Sequence, residues 1–222
     1  MGKKVLIVGA GPSLDARMAE LENKDDDTII LAVATVLKKL TNRGIIPDYA
    51  VVMDSQMRTF KQIEGLKIMD TPLLVDSTAC WRFAEEYQGK RYIVYQKGFQ
   101  EADRCAKEER CQQYETGGSV TTLALEIALR LGADSIYMLG VDLAYPDGIS
   151  HATGTMDRMD RNTNGMKKVK SVNGDEVYTD LLFDSYRIWI ENKIKEYPQV
   201  NFYNLSTCGA YIEGCGRISN QA

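Results

Sequence analysis

The chain has 222 residues, 44% of them hydrophobic and 26% charged, with 27 Lys and Arg against 31 Asp and Glu for a net charge of −4. A polypeptide of this size and composition buries a full hydrophobic core, which excludes the disordered, fibrous and disulfide-scaffold classes. The weakly acidic balance supplies no field for holding a polyanion, so nucleic acid is not expected as a partner. No apolar run approaches the roughly 20 residues of a membrane helix, so no membrane span is expected. Val5 to Val8 is also too short for a secretory signal. The expected location is the cytoplasm. The five cysteines, Cys80, Cys105, Cys111, Cys208 and Cys215, are odd in number and form no CxxC pair. That usage points to reduced thiols rather than to disulfides, zinc or a redox centre.

Lys4–Val8 is an apolar run closed by Gly9 and Gly11, the pattern of a strand buried on both faces. Similar runs follow at Thr28–Val33, Tyr49–Met53, Pro72–Val75, Arg91–Tyr95, Ser135–Leu139 and Val200–Tyr203, making seven expected strands. Residues 96–116 are charged and weakly periodic, and fit a surface helix or an excursion. Val120, Leu123, Ala124, Ile127, Ala128 and Leu131 form an apolar stripe at helical spacing that stops at Gly132. Residues 143–178 hold Gly148, Gly154, Gly165 and Gly174 with no lasting period. A stretch of that length is expected to be a lid or insert that binds ligand, or to conceal a hairpin around Asn173-Gly174. A second long helix is predicted from about Thr179, as its N-cap, to Tyr197 before Pro198. The alternation predicts one α/β domain over residues 1–222, with a doubly wound, mostly parallel, Rossmann-like sheet and ligands at the carboxyl ends of its strands.

Gly9-Ala10-Gly11-Pro12-Ser13-Leu14 joins the first strand to a helix. Glycines allow a tight turn there, and the opening of a helix offers unpaired N–H groups to an anion. Pro12 suits the first helical position. A dinucleotide fingerprint needs a third glycine where Leu14 stands, which disfavours NAD. Gly117-Gly118-Ser119 precedes the strongest helix in the same way. The two helix openings are expected to converge on one nucleotide phosphate, although either could be a plain turn. Asp54 and Asp142 each follow a strand, where a carboxylate takes ribose hydroxyls, a metal or a base edge, or simply caps a helix. The nucleotide-binding set expected from these motifs is therefore Gly9, Gly11, Pro12, Ser13, Asp54, Gly117, Gly118, Ser119 and Asp142. His151 is the single histidine and lies in the long loop beside Ser150, placed to act as acid, base or hydrogen-bond donor. With one histidine a two-histidine metal site is impossible, and no metal ligands are assigned. Arg158, Arg161, Lys167, Lys168 and Lys170 follow in the same loop, either solvated or neutralising an anionic ligand.

The glycine turn 9–14, Pro47-Asp48 with Asp54, Gly117-Gly118-Ser119-Val120, Gly140-Val141-Asp142-Leu143 and the segment from Asn204 to Gly214 resemble the family that groups motility accessory factors with MptE-like proteins. The resemblance spans nearly the whole chain. It implies a glycosyltransferase core similar to bacterial sialyltransferases, transferring a nonulosonic, sialic-acid-like sugar from a CMP-linked donor by inversion without a required cofactor. The archaeal branch implies instead an Mg²⁺-dependent 6-hydroxymethyl-dihydropterin pyrophosphokinase. A nucleotide-binding module without catalysis is the third reading. On the sialyltransferase pattern both glycine turns hold the CMP portion, Asp54 falls where that family has a donor-contacting Asn, and His151 falls where a Tyr faces the leaving phosphate. The separate downstream His that serves as general base in those enzymes has no counterpart here, and Asp180 or Tyr178 stands in by position. Expected partners are a nucleotide or nucleotide-sugar and an unidentified glycan or protein acceptor, with homo-oligomer formation left open.

Overall fold

The computed structural model describes residues 3–22, 25, 27–66 and 70–216. Its strands in chain order are β1 (Lys3–Val8), β2 (Thr28–Val33), β3 (Tyr49–Val52), β4 (Leu73–Asp76), β5 (Arg91–Gln96), β6 (Gln113–Tyr114), β7 (Ala133–Leu139), β8 (Lys167–Lys170), β9 (Glu176–Thr179) and β10 (Asn201–Asn204). The helices are α1 (Ser13–Glu22), α2 (Leu37–Thr41), α3 (Trp81–Glu86), α4 (Gln100–Glu109), α5 (Val120–Arg130) and α6 (Leu181–Glu196). Eight strands form one parallel sheet in the order β10-β7-β1-β2-β3-β4-β5-β6, while β8 and β9 pair separately as an antiparallel hairpin. All seven expected strands are in the large sheet. No helix among the described residues is long and apolar enough to cross a membrane, and all five cysteines are free thiols.

Both faces of the sheet are covered, which is why its strands read as continuous apolar runs. Leu6 and Val8 of β1 pack on one side with Leu14, Leu37 and Phe83 from α1, α2 and α3. Val5 and Ile7 pack on the other with Leu123 and Ile127 of α5 and Ile190 of α6. The order reverses beside β1, whose neighbours are β2 and β7, so the topological switch point lies between β1 and β7.

Two backbone turns touch at that switch point. Gly9 N donates to Leu139 O at 2.8 Å and Gly11 N donates to Gly140 O at 2.7 Å. A Cβ on Gly9 would lie 2.5 Å from Gly140 O, and one on Gly140 would strike Gly9 O. The glycines are thus demanded by neighbouring backbone rather than by a ligand.

Two local expectations hold and two helix starts shift. The segment 96–116 holds α4, which buries only Ala102 and Ala106, and the two-residue strand β6. Such small side chains leave little periodicity to detect. The long segment 143–178 is ordered by cross-connections rather than structureless. The hairpin suspected around Asn173-Gly174 forms there as β8 and β9, and Ala152 N donates to Ala10 O at 2.8 Å. The cap of α6 is Asp180, not Thr179. Thr179 ends β9 fully buried, with its hydroxyl donating to Leu143 O at 2.9 Å, while Asp180 Oδ1 accepts from Phe183 N at 2.8 Å. The first helix likewise starts at Ser13, with Pro12 just outside it.

Gly9→Ala should lower unfolding free energy by about 3 kcal/mol, because backbone on both sides must move. Gly154→Ala, at φ +74° with nothing within 4 Å, should cost only about 1 kcal/mol of left-handed backbone strain. Urea denaturation of the two variants checks the contrast, and equal losses would contradict it.

Candidate functional site

A cleft of about 670 Å³ opens above the carboxyl ends of β2 to β5, and a smaller hollow of about 150 Å³ continues it toward the switch point. Its floor comes from Thr35 after β2, Asp54 after β3, Thr78 after β4 and Gln96 at the end of β5. The opening of α5, the loop around His151 and Arg161, and the first turn of α6 complete its lining. The cleft has a polar end at the strand termini and an aromatic end. At the aromatic end the Tyr145 and Phe183 rings stack at 5.0 Å, with Tyr186 at 6.4 Å from Phe183. The aromatic end was not expected from sequence, because Tyr186 falls on a helical face that reads as core and Tyr145 belongs to no repeating pattern.

The opening of α1 is occupied by the protein itself. Asp142 Oδ2 accepts from Ser13 N at 2.8 Å, and Oδ1 accepts from Ser206 Oγ. Its backbone carbonyl accepts from Ala210 N at 2.7 Å. Asp142 is 2% exposed, and burial pushes its carboxyl above the ordinary aspartate range. A Cβ on Gly11 would run into that carboxylate. This geometry departs from the expectation that Gly9, Gly11, Pro12, Ser13 and Asp142 cradle a phosphate. Gly9 and Gly11 spend their N–H groups on β7 and its turn, Pro12 has none, and Ser13 N is capped by Asp142. Gly11 and Asp142 still line the small hollow, facing Ser119 across it.

The opening of α5 is only partly closed. Ser119 Oγ accepts from Thr122 N at 3.1 Å, while Thr122 Oγ1 accepts from Ser119 N and Gly117 N, each at 3.1 Å. This reciprocal cap leaves the N–H groups of Val120 and Thr121 at the mouth of the helix, where its dipole favours negative charge. Gly118, at φ +91°, and Ser119 line the cleft. Gly117 serves packing, since a Cβ there would lie 2.6 Å from the Trp189 ring.

Asp54 is exposed at the polar end, with Oδ1 accepting from Gln56 N at 2.8 Å. His151 lines both hollows and is largely buried, with Nδ1 lacking a hydrogen-bond partner. Burial pushes its imidazole below the usual histidine value, Asp157 pulls it back, and the positive charge of Arg161 adds to the lowering. Asp180 is committed twice, capping α6 through Oδ1 and accepting the Tyr145 hydroxyl on Oδ2 at 2.5 Å. Burial and that carboxylate hold the Tyr145 phenol well above its ordinary value. Arg161 makes no side-chain hydrogen bond or ion pair among the described residues, whereas Arg58 meets Asp157 at 3.3 Å. Lys167 and Lys168 are paired with Asp184 and Glu176, away from the cleft. No group of three or more His, Cys, Asp or Glu among the described residues is arranged to hold a metal ion.

The family described as 6-hydroxymethylpterin diphosphokinase MptE-like matches residues 1–148. The chain belongs to the MptE-like family. Two uncharacterized proteins of Treponema pallidum (strain Nichols) are similar to this MptE-like chain. One is 28% identical over 162 residues, covering 69% of this chain and 27% of the relative. The other is 26% identical over 134 residues, covering 45% and 34% respectively. The MAf glycosyltransferase structure from Magnetospirillum magneticum AMB-1 superposes on the whole chain with a TM-score of 0.81 at 21% identity. That is a likeness of fold. The match takes in 34% of the glycosyltransferase chain, so the present chain spans about a third or less of each relative's length.

Two outcomes follow from these environments. Asp142→Ala should destabilise by about 3 kcal/mol, since it uncaps α1 and leaves the buried Ser13 N–H and the proton of the Ser206 hydroxyl without an acceptor. A loss under about 1 kcal/mol in urea unfolding would show that the cap is dispensable. His151 is held neutral in the fold but protonates near pH 6.5 when unfolded. Its contribution is therefore complete above that pH and disappears as pH falls through the depressed folded value. The urea midpoint should fall more steeply below pH 6.5 in the wild type than in His151→Gln. Parallel profiles would remove His151 from the acid sensitivity.

Proposed function

We propose that this chain is a transferase core that binds a nucleotide-activated donor in the large cleft. The carrying observation is that the α5 opening, His151, the unpaired Arg161 and the exposed Asp54 all line one cleft. Amides at a helix opening and an uncommitted guanidinium are what a phosphate leaving group requires. The favoured reaction is transfer of a sialic-acid-like sugar from a CMP-linked donor to a glycan or protein hydroxyl. The acceptor oxygen attacks the anomeric carbon as the bond to the CMP phosphate breaks, and the bonding pair leaves with the phosphate. Its charge develops in the transition state, where preorganised donors act most strongly. A neutral His151 contributes an N–H hydrogen bond to that phosphate, while Arg161 and the α5 amides contribute charge. Asp180 is assigned as the carboxylate that takes the acceptor proton. This scheme asks for no cofactor.

The family match supports a second reading, pyrophosphoryl transfer from ATP to a pterin alcohol. There Mg²⁺ held largely by the phosphates of ATP needs only one or two protein carboxylates, and Asp54 supplies one.

Thermal-shift titrations with CMP, CDP, AMP and ATP, each with and without Mg²⁺, separate the readings. Stabilisation by CMP and CDP irrespective of Mg²⁺ is expected. Stabilisation by ATP only with Mg²⁺ would transfer the conclusion to the second reading, and none with any nucleotide would overturn both. His151→Ala should lower donor turnover about 100-fold with a change in melting temperature under about 4 °C. Unchanged turnover would make His151 a bystander.

A further inference from the structure

The polar end of the cleft contains a hydrogen-bonded chain that the transfer chemistry does not use. Asp76 ends β4 at 1% exposure, and its Oδ2 has no hydrogen-bond partner. Oδ1 accepts Thr78 N at 2.8 Å and lies 2.7 Å from Thr78 Oγ1. The same hydroxyl lies 3.2 Å from Gln96 Oε1. The Thr78 hydroxyl therefore sits between the Asp76 carboxyl and the Gln96 amide oxygen. An ionised carboxylate with one oxygen buried and unpartnered is far costlier than a neutral carboxyl. Burial accordingly pushes the Asp76 carboxyl up, against two opposing hydrogen bonds from Thr78. The Thr78 hydroxyl, shared between Asp76 Oδ1 and Gln96 Oε1, holds the Gln96 amide with its oxygen turned toward the strand ends. The Gln96 amide is then oriented, and its Nε2 donor is left without a partner among the described residues.

Thr78, Gln96 and Asp54 all line the cleft, and the carbonyl of Asp54 is tied to the start of α3 by Cys80 N at 2.9 Å. The corner thus offers one oriented amide donor and one exposed carboxylate acceptor. We propose that Gln96 and Asp54 read an amino-bearing heterocycle, with Gln96 Nε2 donating to a ring acceptor and the Asp54 carboxylate accepting from the exocyclic amine. Thr78 and Asp76 are positioning residues. A carboxylate accepts readily from an exocyclic amine such as cytosine N4 but repels the carbonyl that replaces it in a keto base. The inference rests on the transferase reading above. Both sources of such a ring, the cytosine of a CMP-linked donor and a 2-aminopterin, share the chemistry this corner selects.

The test is calorimetric titration of the wild-type protein and Gln96→Met with CMP, UMP, 6-hydroxymethylpterin and its 2-oxo counterpart 6-hydroxymethyl-lumazine. The wild type should bind the amino member of one pair at least about tenfold more tightly than its keto partner. That pair identifies the source. Gln96→Met should narrow that preference at least about threefold, Asp54 retaining the rest, while melting within about 2 °C of wild type. Where Gln96→Met proves unstable, Gln96→Glu replaces the donor by an acceptor and should narrow the preference by at least as much. Equal wild-type affinity for amino and keto members, or a preference that neither substitution narrows, overturns the inference and leaves the transferase reading standing. Binding of none of the four ligands overturns the inference together with nucleotide and pterin binding.

Discussion

The architecture depends on one close approach, the contact of the 9–11 turn with the 140–142 turn across the switch point of the sheet. Gly9 and Gly140 face each other backbone to backbone, and Asp142 then reaches over to cap α1. The same carboxylate takes the Ser206 hydroxyl, and Ala210 N closes on its carbonyl. A Cβ on Gly209 would collide with the Asp142 backbone, so the C-terminal segment is seated by the same constraint. Three distant stretches of chain are held by one buried residue. Removing any side of this contact exposes polar groups that have no solvent to replace their partners.

Filling the switch point displaces the open space. In a doubly wound sheet the crevice at the reversal of strand order is the usual ligand seat. Here that crevice shrinks to about 150 Å³, while the larger volume of about 670 Å³ lies over β2 to β5. The displaced cleft is bounded by α5, by the first turn of α6 and by the 143–178 segment. Leu143, with φ of +50°, turns the chain out of the Asp142 cap, and its carbonyl is held by Thr179. A bulky residue in the left-handed region persists only where its surroundings over-determine it. The strain therefore sits where the cap region hands over to the cleft wall, and it places Tyr145 against Phe183.

The electrostatics of the cleft are divided along its length. At the strand ends, Thr78 and Gln96 line the cleft with the exposed carboxylate of Asp54, and the Arg58–Asp157 ion pair lines the same cleft. The opening of α5 and the unpaired Arg161 each favour an anion, and the positive charge of Arg161 adds to the lowering of the His151 imidazole. A ligand with a hydrogen-bonding ring at one end and a phosphate toward the other matches this division. The proposed transferase chemistry and the proposed ring recognition therefore occupy different parts of one cleft.

The sequence by itself determined the layers. Runs such as Val5–Val8 and Leu31–Val33 must be buried on both faces, and the α5 stripe must pack on a sheet, because their apolar periodicity leaves no other low-energy arrangement. The motif 140–143 and the glycine turn 9–14 were also legible as places where the backbone does something unusual. What occupies them was decided only by tertiary structure. A glycine that admits a phosphate and a glycine that admits another turn look the same in one dimension, and only the approach of Gly140 and Asp142 shows the second case. Tyr145, Thr78 and Gln96 carried no local signal, since each acquires its role from strands and loops distant in the chain. Local pattern encodes which surface is buried, whereas a binding site is a convergence of side chains whose distances exist only after the sheet is assembled.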